Sequence, residues 1–104
     1  MIPGLTADQA TAVLSVFAPE SANGRLREII LFGSRAKGTH REGSDIDLAV
    51  AIDRGRAEDL HAWMERYEAL FLPWKLDVVL YDSIENDALR EHIDRVGIKL
   101  KLRD

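Results

Sequence analysis

One segment, residues 29–52, constrains the fold more than any other part of this sequence. It opens with four apolar residues and stops abruptly at Gly33-Ser34, which predicts a short buried strand that ends in a turn. A polar connection over residues 39–43 follows, and residues 45–52 form a second, mostly apolar strand. The segment therefore predicts strand, turn, loop and strand, with the rest of the chain packed around this unit.

The Gly-Ser turn is itself a candidate binding site. Ser34 can cap a short helical segment, residues 35–37, and Gly38 can close it. Backbone N–H groups at a turn that leads into a helix form an anion site, and phosphate is its usual ligand. We therefore predict that this turn binds phosphate.

Two aspartates at the start of the second strand predict a metal-binding pair. Asp45 and Asp47 are two residues apart, so both side chains leave the same face of the strand, while Ile46 and Leu48 point into the core. Neighbouring carboxylates raise each other's pKa unless a cation lies between them. Mg²⁺ suits such oxygen ligands and typically binds one or two carboxylates together with substrate phosphates. A phosphate-binding turn followed by this pair indicates a site for a nucleoside triphosphate.

A third acidic residue, Asp77, interrupts the apolar run of residues 75–81, which predicts a third strand. An acid within an apolar strand is often only an edge residue that faces water. Here the alternation places Asp77 on the face opposite to Leu76 and Val78. From a neighbouring strand it would complete a three-carboxylate cluster with the first pair, and this is the role we predict.

Taken together, residues 33–38 (Gly-Ser-Arg-Ala-Lys-Gly) and residues 44–50 (Ser-Asp-Ile-Asp-Leu-Ala-Val) resemble the signature of the nucleotidyltransferase superfamily related to DNA polymerase β. The short chain resembles the minimal nucleotidyltransferase (MNT) group, whose members act as antitoxins paired with HEPN-domain toxins. The resemblance implies an α+β fold in one domain, residues 1–104, with a small mixed β-sheet flanked by about three to four helices.

The resemblance also implies a reaction: the Mg²⁺-dependent transfer of AMP from ATP to a tyrosine hydroxyl of the partner HEPN ribonuclease toxin. Two Mg²⁺ ions are expected, about 4 Å apart, so that they can stabilise both the entering and the leaving oxygen. The catalytic and metal-binding roles fall on Asp45, Asp47 and Asp77, and the phosphate-binding roles fall on Gly33, Ser34 and Arg35. Asp77 is expected to help deprotonate the acceptor hydroxyl, and Lys37 is an alternative to Arg35 as a source of positive charge.

Helical patterns cover three further stretches of the chain. The predicted helices run from Thr6, which opens a capping box, to about Ala18, from Ala57 to about Leu70, and from Ile84 to about Val96. Pro19 is expected to end the first helix, Ser83 to cap the last and Gly97 to end it. The tail, residues 98–102, alternates apolar and basic residues and could add an edge strand.

Composition excludes several other classes of protein. The net charge of −4, from 14 basic and 18 acidic residues, disfavours strong nucleic-acid binding and suits a basic partner. The absence of cysteine excludes disulfides and thiolate metal sites. No apolar run is long enough to span a membrane and no signal peptide is recognisable, so a cytoplasmic protein is expected. The three histidines share no spacing, and surface or packing roles are predicted for His40, His61 and His92.

Two alternative functions remain open at this level. The chain could neutralise a toxin by binding alone, with a weak or vestigial site, although three converging carboxylates would then have no purpose. It could instead transfer a nucleotide to a small molecule such as an aminoglycoside, although a short chain leaves little structure to hold that acceptor. No residue that reads the base of the nucleotide is identifiable from the sequence.

Overall fold

A central four-stranded sheet and five helices make up the computed structural model, which describes residues 2–102. In chain order the elements are α1 (Ala7–Ser15), α2 (Ala18–Ala22), β1 (Leu26–Phe32), α3 (Gly33–Lys37), β2 (Ile46–Ile52), α4 (Ala57–Glu68), β3 (Leu76–Leu80), a 3₁₀ turn (Tyr81–Ser83), α5 (Asp87–Val96) and β4 (Ile98–Leu100). The strand order is β3-β2-β1-β4; β2 and β3 are parallel, and the other two pairs are antiparallel.

The predicted α+β class and small mixed sheet are confirmed by this architecture. Five helices flank the sheet rather than three to four, partly because a second short helix, α2, begins at Ala18, where the predicted first helix was to end. Pro19 does not end a helix as we expected but lies in the first turn of α2. Proline is well tolerated there because the N–H groups of a first turn have no partner within the helix. The predicted edge strand in the tail is present as β4, paired with β1.

The last helix begins later than its sequence suggested. Asn86, not Ser83, supplies the N-cap, and its side-chain oxygen accepts a hydrogen bond from the Leu89 N–H at 3.1 Å. Gly97 follows the helix as predicted but with an extended backbone, so it does not serve as a left-handed cap. A Cβ at this position would collide with the Ile93 carbonyl oxygen and with the Ile30 side chain. Glycine is needed here because the chain passes close to α5 and β1.

The sheet separates two hydrophobic clusters of unequal size. Ile46, Leu48 and Val50 on one face of β2 are fully buried with apolar residues of α1 and α4. The smaller cluster, on the face covered by α5, consists of Ile30, Phe32, Ala49 and Ile93. Because side chains alternate along a strand, Asp47 projects toward the face that α5 covers.

Within residues 2–102, no helix has both the length and the hydrophobicity of a membrane span.

A buried carboxylate joins α2 to α4. Glu20 is 5% exposed, and its Oε1 accepts hydrogen bonds from Trp63 Nε1 and from Arg66 Nη1, both at 2.8 Å. Burial alone would raise the pKa of Glu20, but the hydrogen bonds from Arg66 and Trp63 outweigh it and lower that pKa below its ordinary value. The charged form of Glu20 is therefore stabilised by the fold.

We expect Glu20→Ala to lower the free energy of unfolding by about 3 kcal/mol, because it leaves the buried Trp63 N–H without its acceptor and the Arg66 guanidinium without its counter-ion. Since the pKa of Glu20 is lowered on folding, its stabilising contribution is complete above the ordinary glutamate pKa of about 4.3 and is lost as the pH falls through the folded pKa. Urea unfolding followed by tryptophan fluorescence should therefore show a difference from wild type that shrinks on acidification. Glu68→Ala, at an exposed position of α4, is the control; an equal loss in both variants would contradict the prediction.

Candidate active site

The three aspartates and the Gly-Ser turn meet at one edge of the sheet. Asp47 is paired in register with Phe32, the last residue of β1, so the turn that follows β1 lies beside it. On the other side, Asp47 is paired in register with Asp77 of the parallel strand β3. Asp45 directly precedes β2. The strand order thus brings together residues that are up to 44 positions apart in the sequence.

Gly33 is in direct contact with the Asp47 carboxylate. Its φ angle is +73°, a left-handed conformation that glycine adopts without strain. A Cβ built on Gly33 would overlap Asp47 Oδ2 and approach Cγ to 3.0 Å. Backbone conformation and space therefore both require glycine here, and the carboxylate rests against the turn.

The charged form of the Asp47 carboxylate is disfavoured by its surroundings. Burial is the first cause that raises its pKa above the ordinary value, followed by the carboxylates of Asp77 and Asp45. His92 and Arg35 oppose this rise only in part. A cation at this edge would relieve the repulsion, so the chemistry of the donor set fits a hard divalent ion such as Mg²⁺.

The three carboxylates are neighbours but are not a preassembled three-ligand site. Across residues 2–102, no group of three or more histidine or acidic side chains is close enough together to hold a metal ion by itself. Asp45 is exposed, and the half-exposed Asp77 has an oxygen 3.8 Å from Lys75 Nζ. Since Mg²⁺ usually binds only one or two carboxylates and takes further oxygens from phosphates and water, this looser arrangement still fits the ion.

Arg35, which we predicted to contact phosphate, has its guanidinium in the protein interior. The residue is 2% exposed, and its Nη1 and Nη2 each donate a hydrogen bond of 2.7 Å, to the carbonyls of Pro3 and Ser44 respectively. Nε donates to the Asp45 carbonyl at 3.3 Å. A guanidinium suits this task because its donors form a rigid fork. In this structure Arg35 therefore fixes the loop that leads into Asp45, and Lys37, the other predicted cation, is exposed.

We expect Arg35→Lys to lower the free energy of unfolding by about 2 kcal/mol, because one ammonium group cannot replace the fork and leaves buried carbonyls unpaired. Thermal unfolding would measure this loss, with Lys37→Ala as the exposed control. If Arg35 instead contacted phosphate, Arg35→Lys would keep the melting temperature and raise KM for ATP.

The other two predicted phosphate ligands lie at the turn. Ser34 is partly exposed inside the short helix α3 rather than at its N-cap, and Gly38 ends that helix with φ +79°, as predicted. The Gly33 N–H donates a hydrogen bond of 3.3 Å to His92 Nε2. In this arrangement the Gly33 amide is engaged within the protein and is not free for phosphate.

His92 is the site residue that the sequence did not reveal. It lies on α5, and its ring packs edge-on against Phe32 with the ring centroids 6.1 Å apart. The predicted packing role is therefore present, but the ring is also hydrogen-bonded to the turn. The only sequence signal was its place in the helix next to the buried Ile93, and that signal does not identify a partner 59 positions away.

A turn beside paired carboxylates at the edge of a small mixed sheet fits a divalent cation that is bound together with phosphate oxygens. Comparison with known proteins specifies the class. The model of the nucleotidyltransferase domain family matches residues 20–100, and MJ1379 of Methanocaldococcus jannaschii, named as a protein adenylyltransferase, is 33% identical over 72 residues, which cover 67% of this chain and 72% of that protein. The chain belongs to the nucleotidyltransferase domain family, and it is a nucleotidyltransferase enzyme.

Solved structures agree with this assignment. A structure described as a minimal nucleotidyltransferase is 34% identical, with a TM-score of 0.65, and the match covers 89% of this chain and 90% of that one. Two toxin–antitoxin crystal structures share the fold at 24% identity. One, with AMP-PNP, has a TM-score of 0.68 and covers 88% of this chain and 72% of that one; the other, a mutant of MntA–HpeT, has a TM-score of 0.67 and covers 95% and 74%.

Proposed function

We propose that this protein is a Mg²⁺-dependent adenylyltransferase that acts as an antitoxin, transferring AMP from ATP to a tyrosine hydroxyl of a HEPN-domain toxin. The observation that carries the proposal is the in-register pairing of Asp47 with Asp77, next to a turn whose glycine touches the Asp47 carboxylate. The relative named as a protein adenylyltransferase supports a protein acceptor. The toxin–antitoxin structures of the same fold, one of them with AMP-PNP, support a toxin partner and an adenine nucleotide.

The proposal includes the whole chain and its place in the cell. Residues 1–104 would act as a single nucleotidyltransferase domain, since the family match extends over residues 20–100 and the sheet takes strands from both halves of the chain. We place the protein in the cytoplasm, where ATP and Mg²⁺ are supplied. Its net charge of −4 suits a partner with a basic surface better than a nucleic acid.

In this proposal the three aspartates share two tasks, metal binding and proton transfer. Asp45 and Asp47 hold Mg²⁺, which when bound neutralises triphosphate charge and polarises the α-phosphoryl group. Asp77 is half-exposed, so an acceptor hydroxyl that arrives from solvent can reach it. Its carboxylate accepts the hydroxyl proton while the acceptor oxygen bonds to the α-phosphorus and the bond to the β-phosphate oxygen breaks, which releases pyrophosphate. Ser34, at the turn, contacts the β- and γ-phosphates.

The test uses purified protein, ATP labelled at the α-phosphate, Mg²⁺ and the product of the adjacent gene. We expect label on that product with wild type and none with the Asp45→Ala, Asp47→Ala double variant. Asp8→Asn, an exposed position in the first turn of α1, is the control and should label like wild type.

Two other outcomes would overturn the proposal. If neither protein transfers label and both still inhibit the neighbouring protein equally, the chain acts as an antitoxin by binding alone. If label appears on an added small molecule such as an aminoglycoside and not on the protein, the acceptor is not a toxin.

A further inference from the structure

We infer that His92, on helix α5, is a positioning residue of the transferase site. Its side chain holds the Gly33 turn against the Asp47 carboxylate. This inference rests on the proposed function, because the position of Asp47 matters for catalysis only if that residue binds the metal. The comparisons assign no role to His92, and it is not part of either sequence motif.

The first step is the hydrogen bond between α5 and the turn. His92 Nε2 accepts from the Gly33 N–H at 3.3 Å in a partly buried position. An imidazole nitrogen accepts a hydrogen bond through its lone pair when the ring proton is on the other nitrogen. The edge-on contact with Phe32 restricts the ring, and the neighbouring Ile93 anchors α5 in the core at 1% exposure.

The second step leads from the turn to the carboxylate. Gly33 leaves no space between its Cα and Asp47 Oδ2, so a shift of the turn changes where that carboxylate can lie. Side chains that orient a metal ligand without touching the metal typically contribute 10- to 100-fold to metal affinity or activity.

The third step concerns the Gly33 amide itself. Gly33 is the left-handed first residue of α3, which is only five residues long. The hydrogen bond to His92 comes from a helix of ten residues that packs on the sheet. Its loss would remove the hydrogen bond that ties the Gly33 amide to α5.

The test compares two variants of similar size. Gln can present an acceptor near the Nε2 position, whereas Leu keeps the bulk and offers none. We expect His92→Leu to raise the Mg²⁺ concentration for half-maximal transfer about tenfold and to lower kcat by a similar factor. His92→Gln should stay within about threefold of wild type on both measures. His61→Leu, at an exposed position of α4, is the control and should change neither.

A second readout does not depend on transfer. In ¹⁵N-labelled protein, the Gly33 amide should exchange slowly with solvent in wild type and His92→Gln, and about tenfold faster in His92→Leu, at an unchanged melting temperature. If the three proteins exchange equally, or if His92→Gln is as impaired as His92→Leu, the inference is overturned. If the amide responds as expected but wild type transfers no nucleotide, the hydrogen bond is real and the proposed function fails instead.

Discussion

Asp47→Asn should strongly reduce nucleotide transfer and at the same time make the protein more stable in the presence of a chelator. We expect transfer to fall about a thousandfold, because a ligand worth several kcal/mol of charge stabilisation is lost. The free energy of unfolding should rise by about 1 kcal/mol, which corresponds to about 5 °C in the melting temperature of a domain of this size. The gain arises because Asn keeps the shape of Asp47 and removes its repulsion with Asp45 and Asp77.

The pH dependence of this gain has a definite sign. The pKa of Asp47 is raised on folding, first by burial and then by the two carboxylates, so the folded protein takes up this proton before the unfolded chain does. The stability difference between Asp47→Asn and wild type is therefore largest above the folded pKa. It closes as the pH falls toward the ordinary aspartate value of about 3.9.

Calorimetric melting in chelator measures the gain in stability of Asp47→Asn, and melting in Mg²⁺ measures its loss of metal binding. Mg²⁺ should raise the melting temperature of wild type and leave that of Asp47→Asn unchanged, since a ligand stabilises only the protein that binds it. Asp53→Asn, just after the far end of β2, removes an exposed ion pair with Arg27 and should behave like wild type. A variant at Asp47 that is less stable than wild type in chelator would show that the carboxylate cluster does not strain the fold.

The segment that carries both motifs was predictable because its signals are local. Hydrophobic runs ended by Gly33-Ser34 and opened by Asp45 locate the end of β1 and both ends of β2 to within a residue, although β1 begins at Leu26, three residues before its predicted start. Asp77 could be placed because alternation along a strand fixes its facing, and the structure pairs it with Asp47. The catalytic roles of these residues remain predictions that the labelling experiment tests.

The parts that sequence could not supply depend on contacts between distant residues. Arg35 has the same charge whether it faces a phosphate or three backbone carbonyls, and the positions of Pro3, Ser44 and Asp45 in the folded chain decide between them. His92 becomes part of the site through α5, which follows the turn by more than 50 residues. In both cases a local pattern gives the residue type, but the assembled sheet determines its partner.

Gly33→Ala should separate the two reasons why this position is glycine. Gly38 offers a matched control, because it also has a left-handed φ, +79° against +73°, and a Cβ there meets no atom within 4 Å. Each alanine should lower the free energy of unfolding by about 1 kcal/mol for the left-handed backbone. Only Gly33→Ala also pushes against Asp47 Oδ2.

The rate of nucleotide transfer should therefore differ between Gly33→Ala and Gly38→Ala. We expect Gly33→Ala to lose transfer about a hundredfold, since a displacement of about 1 Å at a catalytic group costs that much, and to lose the stabilisation by Mg²⁺. Gly38→Ala should keep most of its transfer rate and most of its stabilisation by Mg²⁺, when both are compared at a temperature below its lower melting temperature. The two variants are compared by their transfer rates at a temperature where both are folded, and by their melting temperatures in Mg²⁺. Equal losses of transfer in the two variants would mean that the turn acts through its backbone conformation alone. A larger loss in Gly33→Ala is expected if the contact between Gly33 and Asp47 sets the position of the metal-binding carboxylate.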